Sequence, residues 1–197
     1  MTVGVIMAMA IAFQWSARAR QVVQPVEYVI SDWARQYLAS GQPETRILVV
    51  DIDEASLADI GSWPWPRERI AELVEALIGT YKARAVGLDI VFPTASPDLR
   101  AGDQRLAALG EYGHVVFSQA FDFSEREQPL RTGVPVFTPR QGALAFSGEP
   151  KPATGYVANH AALARSRCVG NIGIQLDLDG RVRRVPLWVS WNGRESP

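Results

Sequence analysis

Apolar residues recur along this chain with two distinct periods. Arg46-Ile47-Leu48-Val49-Val50-Asp51-Ile52-Asp53 and Ala85-Val86-Gly87-Leu88-Asp89-Ile90-Val91-Phe92-Pro93 are near-continuous, β-branched runs. Runs of this kind describe strands covered on both faces. Between them, Ile70, Leu73, Val74, Leu77 and Ile78 return every three or four residues, the buried face of a helix from Arg67 to Gly79. Pro66 suits the first turn of that helix and Gly79 its end. Strand, helix and strand together predict a parallel βαβ unit. Asp103 is expected to cap a short helix with Leu106 and Leu109 inward, and His114-Val115-Val116-Phe117 to add a third parallel strand.

The flanks follow other patterns. Val22, Val26, Val29, Ile30, Trp33 and Tyr37 form one apolar stripe on a helix from Gln21 to Leu38, with Pro25 in or near its first turn. Ser40-Gly41-Gln42-Pro43 ends it. Between Asp122 and Lys151 the periodicity is lost, with short strands expected at Val134–Phe137 and Ala143–Phe146. A hairpin closes the chain: Gly170 to Leu176, a turn at Asp177-Leu178-Asp179-Gly180, then Val182 to Trp191. The expected fold class is α/β, a mainly parallel sheet built on a βαβ unit. A C-terminal antiparallel hairpin and an N-terminal helix leading from the membrane complete it.

That last element rests on the uncharged run Val3 to Phe13. Thirteen helical residues reach roughly 20 Å, short of a ~30 Å hydrocarbon core. It reads as the end of a membrane helix or signal-anchor within residues 1–20, although no basic residue precedes it. Arg18 and Arg20, just after the run, would place that side in the cytoplasm by the positive-inside rule. Residues 21–45 then form a juxtamembrane helix and linker, and residues 46–191 the main domain.

Composition narrows the function. The 197 residues are 47% hydrophobic and 21% charged with a net charge of −1, which is globular and speaks against nucleic acid as a partner. Two histidines, His114 and His160, and one cysteine, Cys168, exclude an ordinary structural zinc site and a disulfide framework. The two histidines and Cys168 have structural readings.

Candidate chemistry gathers at the carboxyl ends of the expected strands, where open α/β sheets bind ligands. Asp51 and Asp53 would share a strand face, with Asp89 on the neighbouring strand. Three close carboxylates need a divalent cation, a proton or donors such as Arg67, Arg69 or helix N–H groups. The alternatives are a ligand or metal site and a structural cluster. Asp51-Ile52-Asp53 also fits a magnesium-dependent phosphatase of the haloacid-dehalogenase type, but Ala55 and the scarcity of lysine, Lys82 and Lys151 only, argue against it. Trp63-Pro64-Trp65-Pro66 serves either as an aromatic recognition surface or as a lid whose indole N–H groups meet the aspartates. Arg181, Arg183 and Arg184 suggest ion pairs with Asp177 and Asp179.

Four stretches, in order and spacing, resemble the CHASE-type extracytoplasmic sensor domain, type two. They are Ile47 to Leu57, Gly61 to Arg67 with its Trp-Pro-Trp-Pro-Arg segment, Ala85 to Phe92, and Asp177 to Leu187 with Asp-Gly and Arg-Arg-Val-Pro-Leu. The resemblance covers about Arg46 to Leu187; Asp32 and Arg35 resemble a looser feature. It implies the input domain of a bacterial transmembrane receptor, outside the cytoplasmic membrane, with no catalytic residues of its own. A nucleotide cyclase, histidine or protein kinase, or diguanylate cyclase would follow as output module. The expected ligand site is Asp51, Asp53, Asp89, Trp63, Trp65 and Arg67, with no cofactor unless those aspartates hold a divalent cation. The expected partners are an unknown small-molecule or protein stimulus, a second copy in a homodimer, and the membrane through the N-terminal segment. The rival readings are the hydrolase and a stand-alone membrane-associated binding module.

Overall fold

The computed structural model describes residues 17–39, 41–42, 44–96, 100–137, 149–177 and 179–196. The chain divides into two compact units, residues 1–52 and 53–197. In the first, helix α1 runs from Ala17 to Leu38 with Pro25 inside it. Val26, Val29, Ile30, Trp33 and Tyr37 are all exposed, and the Trp33 and Tyr37 rings stack at 5.6 Å. The expected membrane segment falls outside the described residues. Among those described, no helix is long and apolar enough to cross a membrane.

The first expected strand is not formed. Residues 46–53 carry no strand, and Ile47, Leu48 and Val49 are 70%, 83% and 83% exposed. Apolar β-branched residues favour a strand only where a ladder partner and a packed face exist. The expected βαβ unit spanning Arg46 to Phe92 is therefore absent, and the motif is built one step further along the chain.

In the second unit, α2 spans Glu54–Ile60, α3 Arg67–Gly79, β1 Val86–Leu88, α4 Arg100–Glu111 and β2 Val115–Asp122. β1 and β2 pair in parallel, Val86 opposite Val115, and α4 is the crossover between them. β6, Cys168–Asn171, lies parallel on the other side of β2, Val116 opposite Cys168. Past the midpoint of β2, β5 (Gly155–Val157) pairs antiparallel with it, and β3 (Arg131–Thr132) joins β5. A second small sheet contains β4 (Lys151–Pro152), β7 (Val189–Trp191) and β8 (Arg194–Ser196). The molecule is thus α/β with a mixed sheet whose central strands are parallel.

Burial explains this order. Ile70, Ala71 and Val74 of α3, Leu106 of α4, and Val115, Phe117 and Phe121 of β2 are buried. α3 packs along α4, and Gly102 allows it: a Cβ there would lie 2.6 Å from the Glu68 nitrogen. Arg105 of α4 reaches back to Glu75 of α3 at 2.5 Å. The strand expected at Val134–Phe137 is irregular, and that expected at Ala143–Phe146 lies outside the described residues. The Asp177 turn forms, closed by Gly180 N–H to Asp177 O at 2.9 Å and Asp177 N–H to Arg181 O at 2.9 Å. Its flanks are irregular, so this turn heads no ladder. A tight antiparallel hairpin forms further on, β7–β8, turned by Asn192 and Gly193, both with positive φ.

Candidate functional site

Asp53 precedes α2 and caps it: its Oδ1 accepts from Ser56 N–H at 2.9 Å and Ser56 Oγ–H at 2.7 Å. Those Ser56 bonds, side-chain first, lower its pKa. The carboxylate thus stabilises its own helix. Asp89 follows β1 and is exposed; Asp51 is exposed in the other unit. Among the described residues, no group of three His, Cys, Asp or Glu side chains is arranged to hold a metal ion.

The two tryptophans divide their roles. Trp65 is 8% exposed and its indole N–H donates to the Gly61 carbonyl at 2.7 Å, where a carboxylate acceptor was expected. Trp63 remains 43% exposed, its ring 6.1 Å from that of Trp65. The peptide bond between Trp63 and Pro64 is cis. Trp65 covers, and Trp63 faces solvent.

Arg67 is the expected site residue that the fold builds into a cluster. It opens α3, and its guanidinium lies over the Phe92 ring at 4.0 Å. One Nη donates to the Thr94 carbonyl at 3.3 Å. Its Nε stands 3.4 Å from Asp103 Oδ1, and His160 Nε2 stands 3.5 Å from the same oxygen. Burial lowers the Arg67 pKa and the Asp103 charge opposes that shift. The Asp103 and His160 side chains are only 9% and 10% exposed. Arg67 Nε, Asp103 Oδ1, His160 Nε2 and Glu68 Oε2 are buried without a hydrogen bond. Both approaches to Asp103 lie just beyond hydrogen-bonding range, and the one from Arg67 is ionic.

The other Asp103 oxygen accepts from Ser96 N–H at 2.8 Å. His160 N–H donates to the Phe92 carbonyl at 2.7 Å, and Phe92 N–H to Asn159 Oδ1 at 2.8 Å. Asn159 Nδ2 in turn donates to Ser118 O in the middle of β2. The segment leaving β1 is therefore held by α3, α4 and residues 159–160 at once. A shift of a few tenths of an ångström in Asp103 would bring either Arg67 Nε or His160 Nε2 into bonding range. Chemically this is a charged latch at the carboxyl end of β1.

Sequence reading missed Asp103 and His160 as partners. Asp103 looked like a helix cap, yet it sits within α4, and His160 looked like part of a polar turn. No local signal links positions 57 residues apart; only the tertiary fold brings them together. Arg183, by contrast, meets both Asp179 at 2.7 Å and Asp177 at 3.1 Å, the expected ion pairing.

The family model described as CHASE2 domain matches residues 5–196. No curated protein and no solved structure matches the chain. CHASE2 domains are extracytoplasmic sensory domains without catalysis of their own. With nearly its whole length matched, the chain belongs to the CHASE2 domain family.

Proposed function

We propose that this chain is the input domain of a bacterial membrane receptor, passing an extracytoplasmic stimulus to a cytoplasmic nucleotide cyclase, kinase or diguanylate cyclase. The family match over residues 5–196 carries the reading. The stimulus acts at the carboxyl end of β1, on Trp63, Trp65, Arg67 and Asp89. Arg67 is central because it offers a cation and an aromatic neighbour while being tied through Asp103 to α4. A ligand biases signalling only by its differential affinity for two states. Two such states would differ in whether Asp103 bonds Arg67 or His160. The exposed stripe on α1, Val26, Val29, Ile30 and Trp33, is the surface for a second copy, making the receptor a homodimer.

The test is thermal unfolding of the chain with Ca²⁺, Mg²⁺ and a panel of small metabolites. A ligand at a hundred times its Kd stabilises by about 2.7 kcal/mol, a shift of several degrees. The shift should vanish in Arg67→Gln. An unchanged shift in that variant places the ligand elsewhere. A gene product carrying no output module would defeat the receptor reading itself.

A further inference from the structure

The amino ends of the parallel strands carry a surface that the sensory reading does not use. β1, β2 and β6 run in the same direction and start in register, Val86 beside Val115 and Val116 beside Cys168. Their three entry loops therefore share one edge of the sheet. They read Thr80-Tyr81-Lys82-Ala83-Arg84-Ala85, Glu111-Tyr112-Gly113-His114 and Arg165-Ser166-Arg167.

Hydrogen bonds lock these loops into one surface. Val86 N–H donates to the His114 carbonyl at 2.8 Å, and His114 Nδ1 lies 2.9 Å from the Arg84 carbonyl. Arg167 N–H donates to the Gly110 carbonyl at 3.3 Å. Lys82, Arg84, Arg165 and Arg167 are all exposed, and none forms an ion pair among the described residues. Glu111 is the one acid in these loops. Tyr81 and Tyr112, at matching places after α3 and α4, are 76% and 78% exposed.

A chain of net charge −1 thus concentrates four unpaired cations and two exposed tyrosines on one edge. Lys82 also holds φ at +58°, a left-handed conformation that glycine or asparagine adopts at lower cost. We infer that this edge is a docking surface for anionic lipid headgroups. The cations meet phosphates, and the tyrosine rings sit at the headgroup level with their hydroxyls wet. A site for a free anion would be concave and enclosed, whereas these side chains stand on open loops. This inference does not depend on the receptor reading.

The test is sedimentation of the whole chain with vesicles of phosphatidylglycerol and phosphatidylcholine, against phosphatidylcholine alone. Neutral vesicles report any attachment through the apolar N-terminal segment, so the difference isolates the charged edge. Anionic vesicles should bind more tightly, and the excess should fall with added salt. Lys82→Gly with Arg84→Gln should reduce it about fivefold per residue, the equivalent of roughly 1 kcal/mol each. Arg165→Gln with Arg167→Gln should do the same. Lys82→Gly alone should weaken binding while keeping or raising the unfolding temperature, which separates loss of charge from loss of fold. Equal binding to both vesicle types, or full excess binding in the fourfold variant, overturns the inference. In the latter case the anionic-lipid contacts lie elsewhere on the chain.

Discussion

Replacing Asn159 by alanine tests whether the segment leaving β1 is held as the hydrogen bonds indicate. Asn159 is 1% exposed and spans two elements with one amide. Its Oδ1 accepts from Phe92 N–H at 2.8 Å, and its Nδ2 donates to Ser118 O at 2.9 Å. Alanine leaves the Phe92 N–H buried and unpaired, which costs about 2 kcal/mol, and removes one of two bonding positions at the Ser118 carbonyl, about 1 kcal/mol more. The expected loss is therefore about 3 kcal/mol, a lowering of the unfolding temperature by roughly 6–12 °C in a domain of this size. Urea unfolding followed by circular dichroism should show a lower midpoint at unchanged slope. Tyr112→Ala, on the exposed edge, should stay within about 0.5 kcal/mol and serves as the control. A loss below about 1 kcal/mol for Asn159→Ala would mean that Phe92 N–H finds another acceptor and that the latch is not tied to β2.

Other perturbations probe separate parts of the fold. Asp103→Asn removes the charge that faces Arg67 and His160, and should lower stability by about 2 kcal/mol in chemical unfolding. Gly133 has φ +81°, and a Cβ there would lie 1.9 Å from the Ala158 carbonyl oxygen; Gly133→Ala should cost about 2–4 kcal/mol, read as a lower urea midpoint. The Arg183 hydrogen bond holds Asp179 at a pKa of about 2, below its ordinary 3.8. A depressed carboxylate stabilises fully above its unfolded pKa, so this contribution persists above pH 3.8 and is lost as pH falls through about 2. Carboxyl NMR titration should find that low midpoint, and Arg183→Gln should return it towards the ordinary value.

Much of the second unit is legible from periodicity. Ile70 and Val74, spaced by a helical turn, mark the buried face of α3, and the expected Arg67 to Gly79 bounds hold. Val86 to Leu88 and Val115 to Phe117 read as parallel strands and pair as such. Periodicity reports which face of an element is apolar, and says nothing of which ladder it joins. Hence Ile47 to Val50, with the strongest strand composition in the chain, joins no ladder among the described residues, while Arg131–Thr132 and Lys151–Pro152 become strands through their neighbours. The site shows the same division. Arg67 is legible because Trp-Pro-Trp-Pro-Arg is distinctive. Asp53, expected to face a ligand, caps α2 through its Oδ1, a role its spacing to Ser56 already permitted. Asp103 and His160 carry no such local mark.

The two ends of the parallel strands have opposite character, and that polarity connects the proposals. At the carboxyl end, Arg67, Asp103 and His160 form a buried cluster under the segment leaving β1. At the amino end, Lys82, Arg84, Arg165 and Arg167 are exposed, with no ion pair among the described residues. Asn159 bonds Ser118, three residues into β2, about 10 Å of extended chain from the amino end. A sheet resting its amino end on headgroups would hold that point near one Debye length, about 8 Å, from the charged surface, where lipid charge is already attenuated. Between the two ends, β2 is among the most completely buried elements of the second unit, with Val115, Phe117, Ser118, Gln119 and Phe121 all inside. Packed interiors respond to strain by shifting as units. Displacement of Phe92 by a ligand at Arg67 would reach Ser118 through Asn159, and from there the strand that carries Tyr112 and His114 at its start.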